Sequence, residues 1–316
     1  MAAAREAVTE RWAPFTSLPP EARARMLAIG PLWAQDIIAH RKLVLAAYEP
    51  VLAGRPADGI AVVKDIAYGP HAWHRLDVYA KPGLAGAPVV AFVHGGAFVR
   101  GEKDATSNIY GNVPRYFARH GCVGVNVEYR LAPEAAYPGG ALDVAAAMAW
   151  IRANVARHGG DPSRIVLVGH SAGASHAGAY ACDPAARPAQ GTAQLPSLAG
   201  LVLISGRLRA DVRADNPNAH GVRAYYGSDE SSYEARSVVT HAANLDVPLL
   251  IAVAEHENPY LDAYSAEMAA RVGMCRGRLP RFIQLPGQNH TSMVAHFDSG
   301  EELLDREVLA FVRAVC

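Results

Sequence analysis

The chain has 316 residues, 51% of them apolar, and its 30 basic residues are balanced by 30 acidic ones. An apolar fraction that high supports a core burying roughly 75% of the unfolded chain's surface, which excludes general disorder. The balanced charge removes the long-range attraction that nucleic acid or an anionic membrane would need, so neither is expected as a partner.

In chain order, residues 1–55 read as helical, with Trp33, Ile37, Ile38, Val44, Leu45 and Tyr48 forming an apolar stripe that packs on the main body or caps a site. The opening MAAAREAVTERWAPF lacks the apolar centre of a signal peptide, and no run of about 18 apolar residues follows. The expectation is a cytoplasmic protein without a membrane span. AVVKDIAYG (61–69) and RLDVYA (75–80) alternate apolar and polar residues around a turn-rich linker, the pattern of a half-exposed antiparallel hairpin.

Six mostly continuous apolar runs come next: PVVAFVHGG (88–96), VGVNVEYR (123–130), IVLVGHS (165–171), LAGLVLISG (198–206), PLLIAVAEH (248–256) and RFIQLPG (281–287). Such runs predict strands covered on both faces. Helices are predicted from Ala141 to His158, after Ala172, from Tyr260 to Val272 and from about Glu301 to Val315. Strands alternating with helices of this length imply right-handed crossovers: an α/β fold with a mostly parallel central sheet and helices on both faces. The stretch from Arg207 to Leu245 reads as a long polar insertion, either cladding or a lid, and AARPAQGTAQLPS (185–197) as a surface loop. Cys122, Cys182, Cys275 and Cys316 are scattered without a CxxC pair, so neither a zinc site nor a disulfide framework is expected.

The chemistry collects at the strand ends. Gly169, Ser171 and Gly173 spell GxSxG between a predicted strand and a predicted helix, the context of a nucleophile elbow. The serine then sits on a strained turn with Oγ projecting from the sheet's carboxyl edge, and the Ala172 amide stands at a helix N-terminus, where N–H groups are unpaired. A serine hydroxyl needs a base. His290 follows the last predicted strand at the same edge, while His296 lies further into a turning segment. The base needs an acid, for which Glu255, Glu257 and Asp262 all stand close to the end of the penultimate strand. The order serine, acid, histidine is the one α/β hydrolases use, and VHGGAF (93–98) follows the strand where such folds present oxyanion donors.

Together HGGAF, YRLAPEAAYPGGALD (129–143), GHSAG and PLLIAVAEHE resemble, in order, blocks of the hormone-sensitive-lipase-like esterases, a branch of the α/β hydrolases. The resemblance runs from about residue 60 to the C-terminus. It implies an α/β-hydrolase fold with a helical N-terminal cap over residues 1–55 and a catalytic domain over residues 56–316. It also maps the acid onto Glu257 and the oxyanion hole onto the amides of Gly96, Ala97 and Ala172. The chain departs from the family pattern twice: a glutamate stands where an aspartate is usual, and Ala97 replaces the third glycine, which keeps its amide available if its φ is negative.

The reading is a serine hydrolase that cleaves small carboxylic esters through Ser171, His290 and Glu257 and an acyl-enzyme, with no metal or organic cofactor implied. The alternatives are an amidase or arylformamidase on the same triad, and a non-catalytic small-molecule receptor. Phe98, the N-terminal helices and the 207–245 insertion are the expected pocket walls, with Trp33, Tyr225 and Tyr226 as aromatic candidates. A homodimer stays open.

Overall fold

The computed structural model describes residues 12–186 and 198–316. Nearly all of the surface loop expected at 185–197, and the start of the expected cap, lie outside the described residues. Eight strands form one sheet: β1 (Ala61–Ala67), β2 (Arg75–Ala80), β3 (Ala87–Val93), β4 (Val123–Val127), β5 (Gly160–His170), β6 (Gly200–Ile204), β7 (Leu249–His256) and β8 (Arg281–Asn289). Their order is β1-β2-β4-β3-β5-β6-β7-β8. β2 runs antiparallel to both β1 and β4, and every other neighbouring pair is parallel. The expected hairpin is therefore present, and its outer strand is largely exposed.

The helices are α1 (Pro20–Ile29), α2 (Ile37–Ala53), α3 (Asn112–Arg119), α4 (Gly139–Asn154), α5 (Ala172–Cys182), α6 (Ala219–Tyr226), α7 (Tyr233–Arg236), α8 (Leu261–Arg276), α9 (Ser292–Ala295) and α10 (Leu304–Val315). Among the described residues no helix is long and apolar enough to cross a membrane.

Strand side chains point alternately to opposite faces, so a continuous apolar run feeds two cores at once. Val89, Ala91 and Val93 of β3 join Ile165 and Leu167 of β5 and Leu201 and Leu203 of β6 on the face covered by α4, α5 and α8. Val90, Phe92, Val166, Val168, Val202 and Ile204 face the other way, onto α2, α3 and α10. Each fully buried aliphatic side chain contributes about 1.5–3 kcal/mol, so the central strands are the most firmly fixed part of the molecule. The loops at their carboxyl ends inherit that rigidity.

The N-terminal helices are part of this second core. Phe15, Met26, Trp33, Val44, Tyr48 and Leu52 pack in one cluster with the sheet. Asp36 caps α2 by accepting from the Ala39 amide at 3.0 Å, and the spacing of Val44, Tyr48 and Leu52 puts one face of the helix inward. Ile38 departs from the expected stripe: it is 68% exposed, because the buried side runs along Val44, Tyr48 and Leu52 and position 38 lies off it. Glu301 ties the segment down by accepting from the Phe15 amide at 2.6 Å, Tyr48 Oη at 2.8 Å and Gln288 Nε2 at 2.8 Å.

The 207–245 insertion also differs from its description as polar. Val222, Tyr225, Tyr226 and Tyr233 are buried with Phe98 and Ala172 in a third cluster, and Val238, Val239, Ala242 and Leu245 reach the main core. Its apolar residues are spread over short helices rather than one periodic stripe, which is why its composition reads as polar while its packing is not.

Candidate active site

β5 ends at His170 and α5 begins at Ala172, leaving Ser171 alone at the turn with φ 56° and ψ −118°. That conformation is costly for a residue with a Cβ, and the neighbours explain why it persists. A Cβ on Gly169 would lie 2.5 Å from the Gly173 carbonyl oxygen, and one on Gly173 would lie 2.2 Å from that of Val93. Glycines thus let strand, helix and the adjacent strand close around the serine. Its amide donates to the Ile204 carbonyl at 2.9 Å, which locks the turn to β6.

The register of β7 and β8 brings the other two groups together. His256 pairs with Asn289 after an irregularity in the ladder, so the next residue on each strand, Glu257 and His290, emerges side by side. Nδ1 of His290 lies 2.7 Å from Oε2 of Glu257, and Nε2 lies 3.1 Å from Oγ of Ser171. The His290 amide donates to the His256 carbonyl at 3.1 Å, fixing the ring's approach from below.

Of the three carboxylates the sequence left open, only Glu257 reaches this histidine. Its Oε1 accepts from the Ala254 amide at 2.9 Å and from Ser205 Oγ, and its Oε2 accepts from the Asn258 amide at 3.3 Å as well as His290. Glu255 is exposed and accepts from the Gly287 amide at 2.6 Å. Asp262 is in the first turn of α8, where it accepts from the Ala263 amide at 2.8 Å. His296 is buried away from the serine, with Nδ1 on the Ser292 carbonyl at 2.7 Å and Nε2 accepting from the Leu304 amide at 3.1 Å.

Ser205 and His170 were not singled out from the sequence. Ser205, at φ 50°, sits just past the end of β6, and a hydroxyl at a strand end between the strands that end at His170 and His256 was the signal available. His170 donates from Nε2 to the His290 carbonyl at 3.1 Å, with the two rings 4.9 Å apart. Burial first, and then the neighbouring His290, hold the His170 imidazole well below its usual range, so it stays neutral beside the His290 ring.

The loop after β3 runs along the same edge, because Val93 pairs with Gly169. Gly96 has φ 157°, and a Cβ there would lie 1.6 Å from the Arg100 carbonyl oxygen, so only glycine fits. Ala97 overturns one expectation: its φ is 52°, not negative, and Phe98 follows at 71°. The left-handed loop costs about 1–2 kcal/mol per such residue. It is braced by Arg100 N–H on the Gly96 carbonyl at 3.1 Å, by Ala132 N–H on the Phe98 carbonyl at 2.9 Å, and by Phe98 stacking on Tyr225 at 4.7 Å. Among the described residues the Gly96 and Ala97 amides donate to no protein group, and the Ala172 amide opens α5, where intrahelical partners are absent.

These groups open into a cleft of about 240 Å³ lined by Ile37 and Arg41 of α2, Gly96, Ala97, Arg100 and Tyr110 near β3, Asn218, and Asn258 beside Glu257. The expected walls are met in part. The N-terminal helices and the insertion do contribute, through α2 and Asn218, but Phe98, Trp33, Tyr225 and Tyr226 are buried behind the surface and do not line it. Trp33 acts one layer back, donating from Nε1 to Asn258 Oδ1 at 2.9 Å.

A mostly parallel sheet with this order, carrying a serine elbow and a histidine loop at its carboxyl edge, defines the α/β-hydrolase fold. Esterase B from Lactobacillus rhamnosis superimposes with a TM-score of 0.70 at 19% identity, over 94% of this chain and 96% of that one. A bacterial heroin esterase gives 0.70 at 25% identity, over 96% and 99%. In sequence, the BD-FAE family model matches residues 76–187. Esterase LipC of Mycobacterium tuberculosis is 42% identical over 115 residues, 35% of this chain and 27% of LipC. The chain spans about a quarter to a third of the length of the curated relatives it matches. The chain has the α/β-hydrolase fold and is homologous to esterases over about a third of its length, in keeping with its resemblance to the hormone-sensitive-lipase-like branch.

Proposed function

We propose that the protein is a carboxylesterase-type serine hydrolase in which Ser171, His290 and Glu257 form the catalytic triad. The observation that carries this reading is the continuous relay from Ser171 Oγ to His290 Nε2 at 3.1 Å and from His290 Nδ1 to Glu257 Oε2 at 2.7 Å, opening on a cleft. His290 takes the Ser171 proton as Oγ attacks the ester carbonyl, then passes it to the departing alcohol. Glu257, held by its three further donors, fixes the tautomer and balances the imidazolium. The amides of Gly96, Ala97 and Ala172 receive the oxyanion; losing one such donor costs about 3 kcal/mol of barrier. Water, activated by the same histidine, then releases the acid. Residues 12–55 serve as a cap that is continuous with the core and supplies one wall of the cleft.

The test is a panel of p-nitrophenyl esters of increasing acyl length, run beside matched amides and formamides. The reading expects ester turnover, with kcat/KM for the esters above that for the amides. An amide or formamide preference would move the assignment to an amidase, and no turnover of any member would remove the catalytic reading.

A further inference from the structure

The wall of the cleft carries two guanidinium groups, and nothing in the reaction just described uses them. Arg41 comes from α2 and Arg100 from the loop after β3, and both line the cavity that holds Ser171 and His290. Several arginines elsewhere in the chain meet carboxylates: Arg119 pairs with Asp298 at 2.7 Å, Arg130 with Asp143 at 2.6 Å and Arg207 with Asp211 at 2.5 Å. In the cleft, Arg100 Nη2 donates to the neutral Asn218 Oδ1 at 3.0 Å, and Arg41 lines the same cavity as Tyr110.

Among the described residues neither arginine has an ion pair. Glu102, the one carboxylate in the lining, is exposed and bridges to neither. Burial first, and then the like charge of Arg41, weaken the hold of Arg100 on its proton. An acyl pocket built for a hydrocarbon chain would be lined mostly by aliphatic and aromatic side chains. Here the aliphatic lining is Ile37, Ala97 and Ala105.

We infer that the ester this cleft selects carries a carboxylate or similar anionic group a few bonds from the reacting carbonyl, held between Arg41 and Arg100. Planar guanidiniums recognise a carboxylate through paired, charge-assisted hydrogen bonds. Partial enclosure by the cleft walls strengthens that recognition relative to open water. Asn218 then acts as a positioning residue that holds the Arg100 fork toward the ligand. This inference rests on the hydrolase reading. The chemistry is unchanged: water adds to the acyl carbon, the ester C–O bond breaks, and the acid and alcohol leave with the anionic group intact on one of them.

The experiment compares two pairs of esters by pH-stat. In the first the charge is on the acyl side: monomethyl glutarate against the neutral ester in which an isopropyl group replaces the carboxylate. In the second it is on the alcohol side: the acetate ester of hydroxybutanoate against its isopropyl counterpart. In at least one pair the anionic member should have kcat/KM about tenfold or more above the neutral one, carried mainly by KM. That advantage should shrink between about 20 mM and about 500 mM salt.

In Arg41→Gln and Arg100→Gln the anionic-to-neutral ratio should fall about tenfold, with the Lys variants retaining part of it. Glutarate should inhibit the unaltered enzyme competitively and neutral glutaramide should not, a readout that does not depend on the variants folding. Turnover of the neutral esters with no anionic advantage in either pair, or a ratio unmoved in both Gln variants, would overturn this inference and leave the hydrolase reading standing. Failure to turn over any of the four esters would count against the hydrolase reading itself.

Discussion

At the carboxyl ends of β5, β7 and β8 each side chain of the proposed triad is held in place: Glu257 has four donors and His290 is fixed through both ring nitrogens and its own amide. In the cleft lining, Arg41 and Arg100 come from separate segments of the chain, and Arg100 leans on the neutral Asn218. The difference separates two jobs. Groups that must meet to within tenths of an ångström are set by strand register and backbone amides, which sequence change elsewhere barely moves. The two arginines proposed to meet the substrate stand on α2 and on the loop after β3, where substitution should change what is bound more than how it reacts.

The largest effect should come from breaking the strand-end region at its centre. Ser171→Ala is expected to lower kcat by about 10⁴–10⁶ while the urea unfolding midpoint stays near the unaltered value. A loss below about tenfold would mean the serine is not the nucleophile.

Next in size is the choice between two carboxylates two residues apart. Glu257→Gln should lower kcat/KM by about 10²–10⁴, since the histidine loses its tautomer and its counter-charge. Glu255→Gln, which touches only the Gly287 amide at the surface, should stay within about twofold. Equal losses in the two variants would remove the distinction drawn here.

Gly221→Ala sharpens the boundary between the two regions. A Cβ at Gly221 would lie 2.2 Å from the Ala97 carbonyl oxygen, so α6 must pull back or push the oxyanion loop. About a tenfold fall in kcat with a smaller change in KM is expected; a change confined to KM would show that the insertion touches binding alone.

The last expected effect is on stability rather than rate and concerns the interior behind the site. Burial holds the His176 imidazole down to about 3 and lowers that of His170 as well. Both groups take up protons more readily in the unfolded chain, so stability is full above the unfolded value near 6.5 and is lost as the pH falls toward 3. Each contributes a slope of at most about 1.4 kcal/mol per pH unit across that window. His176→Leu should flatten the acid limb in urea melts taken from about pH 7 to about pH 4, and an unchanged limb would refute the assignment.

Much of this was legible in the residues. The apolar runs marked the central strands because strands buried on both faces need side chains of one kind throughout, and GxSxG and HGGAF marked the loops because tight backbone approaches demand glycine there. Glu257 was separable from Glu255 and Asp262 only by resemblance, since the choice depends on the irregular register at His256, which local sequence does not encode. The left-handed φ of Ala97 was missed because it is imposed by α6 and Tyr225, distant in the chain. Ser205, Arg41 and Arg100 gave no motif at all: each reaches the site from a segment whose docking is decided by tertiary packing.

The central claim is that Ser171 is activated by His290 and Glu257. The most direct measurement is peptide mapping by mass spectrometry after reaction with a fluorophosphonate. A single adduct per chain on Ser171, lost in Ser171→Ala and greatly slowed in Glu257→Gln, is the predicted result. An unlabelled chain, or an adduct on another residue with Ser171 unmodified, would contradict it.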